Sequence, residues 1–254
     1  MSFTAAAASL LVASGAALVL LGWATARRPT GKIPDRAGYF TRWSALHGGY
    51  DPMVGSVFLR GWLSLVWWLC RPLARRGVHP DVLTVSSVWL TLAVFVPAEA
   101  GGRWLLSACL LMVLSGLFDS LDGCVAVLTD RSTAWGYVLD SVVDRVNDAL
   151  FLVVIVLAGA PLRLAVLCGF LTLLLEYLRA RAGNAGRGEI GRITVGERPN
   201  RVIFLSAGLL VGGLFTGHQT LAALGALTAL TVFTTVGLGQ LTMAVRRQLL
   251  EPIS

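Results

Sequence analysis

The sequence predicts an all-α, polytopic membrane helix bundle of about seven spans with one interfacial helix. Three observations carry this. Hydrophobic residues make up 56% of the 254 residues and charged residues only 14%, against about 25% charged in an ordinary soluble domain. Mean hydropathy is +0.73. Apolar stretches recur near 4–25, 82–98, 103–121, 136–159, 161–182, 201–216 and 219–244, several close to the ~20 residues that a spanning helix needs.

The first stretch, 4–25, is longer than a signal core and no basic residue precedes it. Arg27 and Arg28 follow directly, as a stop-transfer flank does, which predicts an uncleaved first span. Residues 26–54 are mixed and rich in Gly, Pro and Arg, so they read as a connection. Residues 1–54 then form an N-terminal span with its connection, and 55–254 the main domain. Within 55–76, Trp62, Leu65, Val66, Leu69 and Leu73 recur at helical spacing, with Arg60, Arg71, Arg75 and Arg76 near the ends. That pattern predicts an amphipathic helix lying in the membrane surface. The next span opens on His79-Pro80-Asp81-Val82-Leu83-Thr84. Proline suits a first helical turn, Asp81 suits the positive end of the helix dipole, and such an N-terminus can hold a phosphate.

Charge placement orients the spans. Arg103 and Arg163 fall in connections on one side, and alternation places the remaining Lys and Arg on the other. The positive-inside rule makes that second side cytoplasmic, with the N-terminus outside and the C-terminus inside. This topology accounts for the net charge of +7, and no nucleic-acid-binding signature is present. Between 183 and 201 a Gly-rich loop carries Arg187, Arg192, Arg198 and Arg201, and Arg179 and Arg181 precede it. Guanidinium forks bind phosphate oxygens bidentately, so this group points to an anionic ligand. Glu176 lies three residues before Arg179, a spacing that predicts an ion pair. Cys70, Cys109, Cys124 and Cys168 show no zinc or disulfide spacing and read as small apolar residues.

Four aspartates carry the chemistry. Asp119 and Asp122 are spaced i,i+3, and Asp140 and Asp144 i,i+4, so each pair shares a helix face. Carboxylates at membrane depth are costly and mark function. Two such helix ends facing each other gather four oxygen donors, a set that suits Mg²⁺ or Mn²⁺.

From 119 to 144 the sequence reads Asp-x2-Asp-Gly-x2-Ala-Val-x8-Gly-x3-Asp-x3-Asp. It resembles the signature of the CDP-alcohol phosphotransferase family, in which Arg stands where Val127 stands here. Seven of its eight fixed positions match with no change of spacing. The Pro-Asp-x-x-Thr start at 80–84 and the Glu-Arg-Pro-x-Arg run at 197–201 also resemble that family. The resemblance implies a six-helix core preceded by an interfacial helix, with 4–25 as an extra span. It implies transfer of a substituted phosphate from a CDP-linked alcohol, CDP-diacylglycerol by family habit, to an alcohol, releasing CMP.

By the same resemblance Asp119, Asp122, Asp140 and Asp144 hold two divalent ions, and Asp144 is also the base. Pro80, Asp81, Thr84, Gly123, Ala126 and Gly136 face the nucleotide. Arg131, one turn beyond Val127, is the substitute for the missing Arg. Arg179, Arg181, Arg192, Arg198 and Arg201 bind a phosphorylated acceptor such as inositol phosphate or glycerol phosphate. Family habit implies a homodimer among membrane lipids, in a bacterial plasma membrane, and the positive-inside rule puts the site on the cytoplasmic face. The alternatives are a specialised transferase with another CDP-linked donor or acceptor, motivated by Val127, and a cation or proton transporter using the aspartates as a relay.

Overall fold

The computed structural model describes residues 13–18, 20–22, 24–26, 33–46, 51–53, 57–185 and 198–250. Among them it is all-α, with no strand. An apolar helix, Ala13–Gly22, lies within the expected first span; the rest of 4–25 falls partly outside the described residues. After it come α1 (Arg36–Leu46), α2 (Val57–Arg76), α3 (Pro80–Ala100), α4 (Leu105–Leu128), α5 (Ala134–Leu157), α6 (Leu162–Asn184), α7 (Arg198–Leu214) and α8 (Gln219–Leu250).

Local chemistry sets several boundaries. Asp35 begins α1 by accepting a hydrogen bond from the Gly38 N–H at 2.8 Å, and Thr133 does the same for α5 through the Gly136 N–H at 3.0 Å. Helix α2 ends at Gly77, whose φ of 76° lets the Val78 N–H reach back to Leu73 O and the Gly77 N–H to Ala74 O. Asp130 takes the same left-handed role after α4, with φ 54° and the Arg131 N–H bonded to Ala126 O.

The chain forms two compact units. The first comprises Met1–Leu92 with Leu114–Asn147, the second Ala93–Val113 with Asp148–Ser254. In the first, one face of α2 (Leu63, Val66, Cys70 and Ala74) packs with Tyr39 and Phe40 of α1, Leu83 of α3, and Leu121, Cys124, Val125 and Leu128 of α4. Leu65 and Trp68 lie on the opposite, exposed face of α2. The helix is thus amphipathic as predicted, but Leu65 belongs to its outer side. In the second unit, Phe151, Val154 and Ile155 of α5 share a core with Leu205 and Leu209 of α7 and Leu227 and Leu230 of α8. Helix α8 packs on both α6 and α7. The four cysteines are free and three are buried, as small core residues are.

Pro80–Ala100, Gly102–Leu128 and Thr216–Leu250 are long and apolar enough to cross a membrane by length and composition. Helices α5 and α6 stand at the predicted span positions and are of similar length. Their hydropathy is lowered by Asp140, Asp144, Arg145 and Asp148 on α5 and by Arg163, Glu176, Arg179 and Arg181 on α6. Helix α7 has 17 residues. Charged residues inside otherwise apolar helices are where a membrane protein places its function.

Candidate active site

The site grows from the faces of α4 and α5 in the first unit. Asp119 and Asp122 lie in the last three turns of α4, which runs past them to Leu128, so they are within the helix and not at its end. Asp140 and Asp144 lie in the first three turns of α5. One carboxylate oxygen each from Asp119, Asp140 and Asp144 lies within 4.8 Å of the other two, and all three residues are half-buried. Three hard oxygen donors this close repel one another, and a hard divalent cation is the partner that such a set suits.

Asp122 behaves differently. It is 5% exposed. Its Oδ2 accepts from the Thr84 hydroxyl at 2.5 Å and its Oδ1 from the Gly123 N–H at 2.5 Å. Three of the four expected donors converge within 4.8 Å; the fourth, Asp122, is held by α3 and the local backbone and keeps further lone pairs on its carboxylate. Thr84, expected to face a nucleotide, here holds Asp122, and its hydroxyl oxygen also lies 3.2 Å from Pro80 O.

Below Thr84 a ladder of hydroxyls continues along α3. Ser87 Oγ accepts from Asn147 Nδ2 at 2.9 Å and donates to Thr84 O at 2.7 Å. Thr91 and Ser115 share a hydrogen bond of 2.7 Å, and Ser115 Oγ donates to Ser87 O at 2.9 Å. This network was missed from sequence. Its signal was there in Thr84, Ser87 and Thr91, which fall on one helical face.

The remaining expected nucleotide residues line up as follows. Pro80 starts α3, with Asp81 in its first turn. A Cβ on Gly136 would meet Thr133 Oγ1 at 3.3 Å and Asp81 Oδ1 at 4.0 Å, so Gly136 and Asp81 are neighbours. A Cβ on Gly123 would meet nothing within 4 Å, and that face of α4 is open. Ala126 is half-buried. Arg131 donates to Gly77 O at 3.2 Å, at the turn before α3. Val127 packs into the apolar cluster of α1 and α2. The carbonyl of Val127 accepts from Arg42 Nη1 at 3.0 Å, and Arg42 pairs with Asp130 at 2.6 Å. A cation beside the aspartates comes from a residue that the spacing did not flag: Arg145 Nη2 lies 3.4 Å from Asp144 Oδ2. Adjacent residues do not share a helix face, so periodicity gave no hint of it.

The arginine group belongs to the second unit. Arg201 is 2% exposed, and it pairs with Asp148 Oδ2 and Glu176 Oε1 at 2.5 Å each. Glu176 Oε2 also lies 3.6 Å from Arg179 Nη1, the predicted i,i+3 pair. An arginine offered openly to an acceptor is thus not what Arg201 is: two carboxylates hold it, as burial of a guanidinium requires. Arg181 is exposed in the last turn of α6. Arg192 and the side chain of Arg198 lie outside the described residues.

Known proteins resemble this chain in sequence and in fold. A family model described as CDP-alcohol phosphatidyltransferase matches residues 77–241, a span that holds all four aspartates. An archaetidylinositol phosphate synthase of Methanothermobacter thermautotrophicus is 34% identical over 178 residues, 65% of this chain and 88% of the relative. A phosphatidylinositol phosphate synthase of Mycobacterium tuberculosis is 32% identical over 148 residues, 55% of this chain and 66% of the relative. A solved structure of that mycobacterial enzyme with CDP-DAG bound has a TM-score of 0.58 at 24% identity, covering 75% of this chain and 99% of the other. A second, in complex with manganese and citrate, has a TM-score of 0.57 at 23% identity, covering 74% and 93%. At these identities the solved structures speak to the fold.

Proposed function

This chain belongs to the CDP-alcohol phosphatidyltransferase family, and we propose that it moves a phosphatidyl-type phosphate from CDP-diacylglycerol to a phosphorylated polyol, releasing CMP. The convergence of Asp119, Asp140 and Asp144 is the observation that carries the reading. The relatives' names favour inositol phosphate as acceptor over glycerol phosphate.

The donor set fits Mg²⁺ or Mn²⁺: Asp119, Asp140 and Asp144 would hold one ion, and Asp122 would help hold a second. Bound there, divalent ions supply charge neutralisation for the donor's diphosphate and the leaving CMP. The chain's own residues do the rest. Asp144 takes the acceptor hydroxyl's proton on a carboxylate oxygen, because that hydroxyl is too weak an acid to lose it unaided. Arg145, 3.4 Å from Asp144, keeps that carboxylate oriented. Thr84 fixes the rotamer of Asp122. The open face at Gly123 and the start of α3 at Pro80 and Asp81, beside Gly136, receive the nucleotide, since backbone without a Cβ permits close approach. Arg131 secures the turn at Gly77. Arg179 and Arg181, with Arg192 and Arg198, receive the acceptor's phosphate. The protein works as a homodimer in a bacterial plasma membrane with this site at the cytoplasmic face.

A second reading keeps the reaction and changes the donor. The observation that favours it is Val127, which packs among apolar side chains where the family signature carries Arg. One experiment addresses both. Purified protein is given CDP-diacylglycerol or another CDP-alcohol, Mg²⁺ or Mn²⁺, and inositol phosphate, glycerol phosphate, inositol or serine, and CMP is measured. Metal-dependent CMP release with CDP-diacylglycerol and inositol phosphate, lost in Asp144→Asn, is expected. Release only with a different CDP-alcohol would establish the second reading, and release with none would defeat both.

A further inference from the structure

We infer that Glu176 is a specificity-determining residue: its carboxylate occupies the anion position between Arg179 and Arg201 and sets what an incoming anion must outcompete. The inference rests on the reading of Arg179 as part of the acceptor's phosphate site; it adds Arg201, behind Glu176, and the residue that decides which anions reach it.

The geometry is that of a bound anion. Glu176 uses both oxygens, Oε1 on Arg201 and Oε2 on Arg179, and so bridges two guanidinium groups. A phosphate presents its oxygens to paired guanidinium forks in the same manner. Burial is graded across the cluster. The side chains of Arg201 and Asp148 are 3% and 7% exposed, Glu176 is 16% exposed, and Arg179 is 33% exposed. Exposure thus rises from Arg201 through Glu176, which touches both arginines, to Arg179. Asp148 holds Arg201 from the other direction, so Arg201 keeps a partner when Glu176 leaves.

Charge decides which anions succeed. Among the described contacts, Asp148 and Glu176 are the carboxylates that face the two arginines. A monoanion that displaces Glu176 restores the same balance and must first overcome a tethered carboxylate of high local concentration. A phosphate dianion brings a second charge and further acceptor oxygens. Glu176 therefore raises the threshold for all anions and passes the phosphorylated ones. Without its charge the arginine pair would bind anions tightly and with little discrimination.

The test is direct binding of inorganic phosphate and of acetate to the full chain in detergent, followed by titration calorimetry at constant ionic strength. It needs neither donor nor turnover, so its outcome is independent of whether CMP release is found. Glu176→Gln is expected to bind inorganic phosphate at least about tenfold more tightly than wild type and to bind acetate measurably. Adding Arg179→Gln to that variant should cancel the gain. Glu176→Asp keeps the charge on a shorter arm and should fall between. Equal phosphate affinity in wild type and Glu176→Gln, or a gain that survives Arg179→Gln, overturns the inference. So does loss of folding in both Glu176 variants, which would make the carboxylate a structural member of the ion-pair network.

Discussion

Replacing Thr84 with valine removes one hydroxyl and keeps the shape of the side chain. The lost bond is the 2.5 Å contact to Asp122 Oδ2, whose carboxylate is 5% exposed. A buried acceptor left without its donor costs about 1–3 kcal/mol. In a chain of this length that corresponds to a fall in unfolding midpoint of about 2–12 °C. The assay is thermal unfolding in detergent at one scan rate, for wild type, Thr84→Val and Thr84→Ser. Serine keeps the hydroxyl and should stay near wild type. Each protein is then measured again with saturating Mn²⁺. A ligand at one hundred times its Kd stabilises by about 2.7 kcal/mol, and this applies to all three proteins. If Asp122 helps hold an ion, the ion replaces the missing hydroxyl as its partner, and the gap between Thr84→Val and wild type narrows by at least half. A Thr84→Val midpoint within about 1 °C of wild type without metal, or serine as harmful as valine, would refute the reasoning about Thr84. A gap that Mn²⁺ leaves unchanged would remove Asp122 from the metal site.

A chelator should abolish CMP release and Mn²⁺ restore it, with Asp140→Asn needing far more Mn²⁺ than wild type; full activity in chelator would contradict the carboxylate site. Arg42→Ala should cost less than about 1 kcal/mol, because Arg42 and Asp130 are solvent-exposed partners. Arg201→Leu should cost about 3–5 kcal/mol, since it takes the guanidinium away from the buried Asp148 and from Glu176; denaturation midpoints that put the two variants level would show that burial has been misjudged. Gly123→Ala should fold as well as wild type or better, because the added methyl meets nothing and alanine favours a helix interior. Its CMP release should nevertheless fall at least about tenfold if nucleotide approaches that backbone, and unchanged kinetics would move the nucleotide elsewhere.

How much of this was legible in the sequence depended on the range of the contact. Spans were legible because burial in lipid imposes long apolar runs, and the aspartate pairs because i,i+3 and i,i+4 spacing fixes a shared face within one helix. The same rule predicted Glu176 with Arg179, which stands at 3.6 Å. Partners far apart in the chain were less legible: the meeting of Asp119 with Asp140 and Asp144 was expected from the motif, but two other long-range choices were not. Asp122 and Asp119 carry the same chemical group on the same helix face, yet Asp122 goes to Thr84, 38 residues away. Arg201 and Arg179 looked equivalent as basic residues near one loop, yet Arg201 is buried between Asp148 and Glu176. Sequence spacing reports which side chains can point together along one helix. It carries no term for the neighbouring helix, and in a low-dielectric interior the neighbour decides, because each buried charge or hydroxyl must find whichever partner the packing brings within reach. The placement of Asp122 and of Arg201 therefore has one cause. Both are polar groups set where water cannot serve them, and each is held by the polar atoms of an adjoining helix.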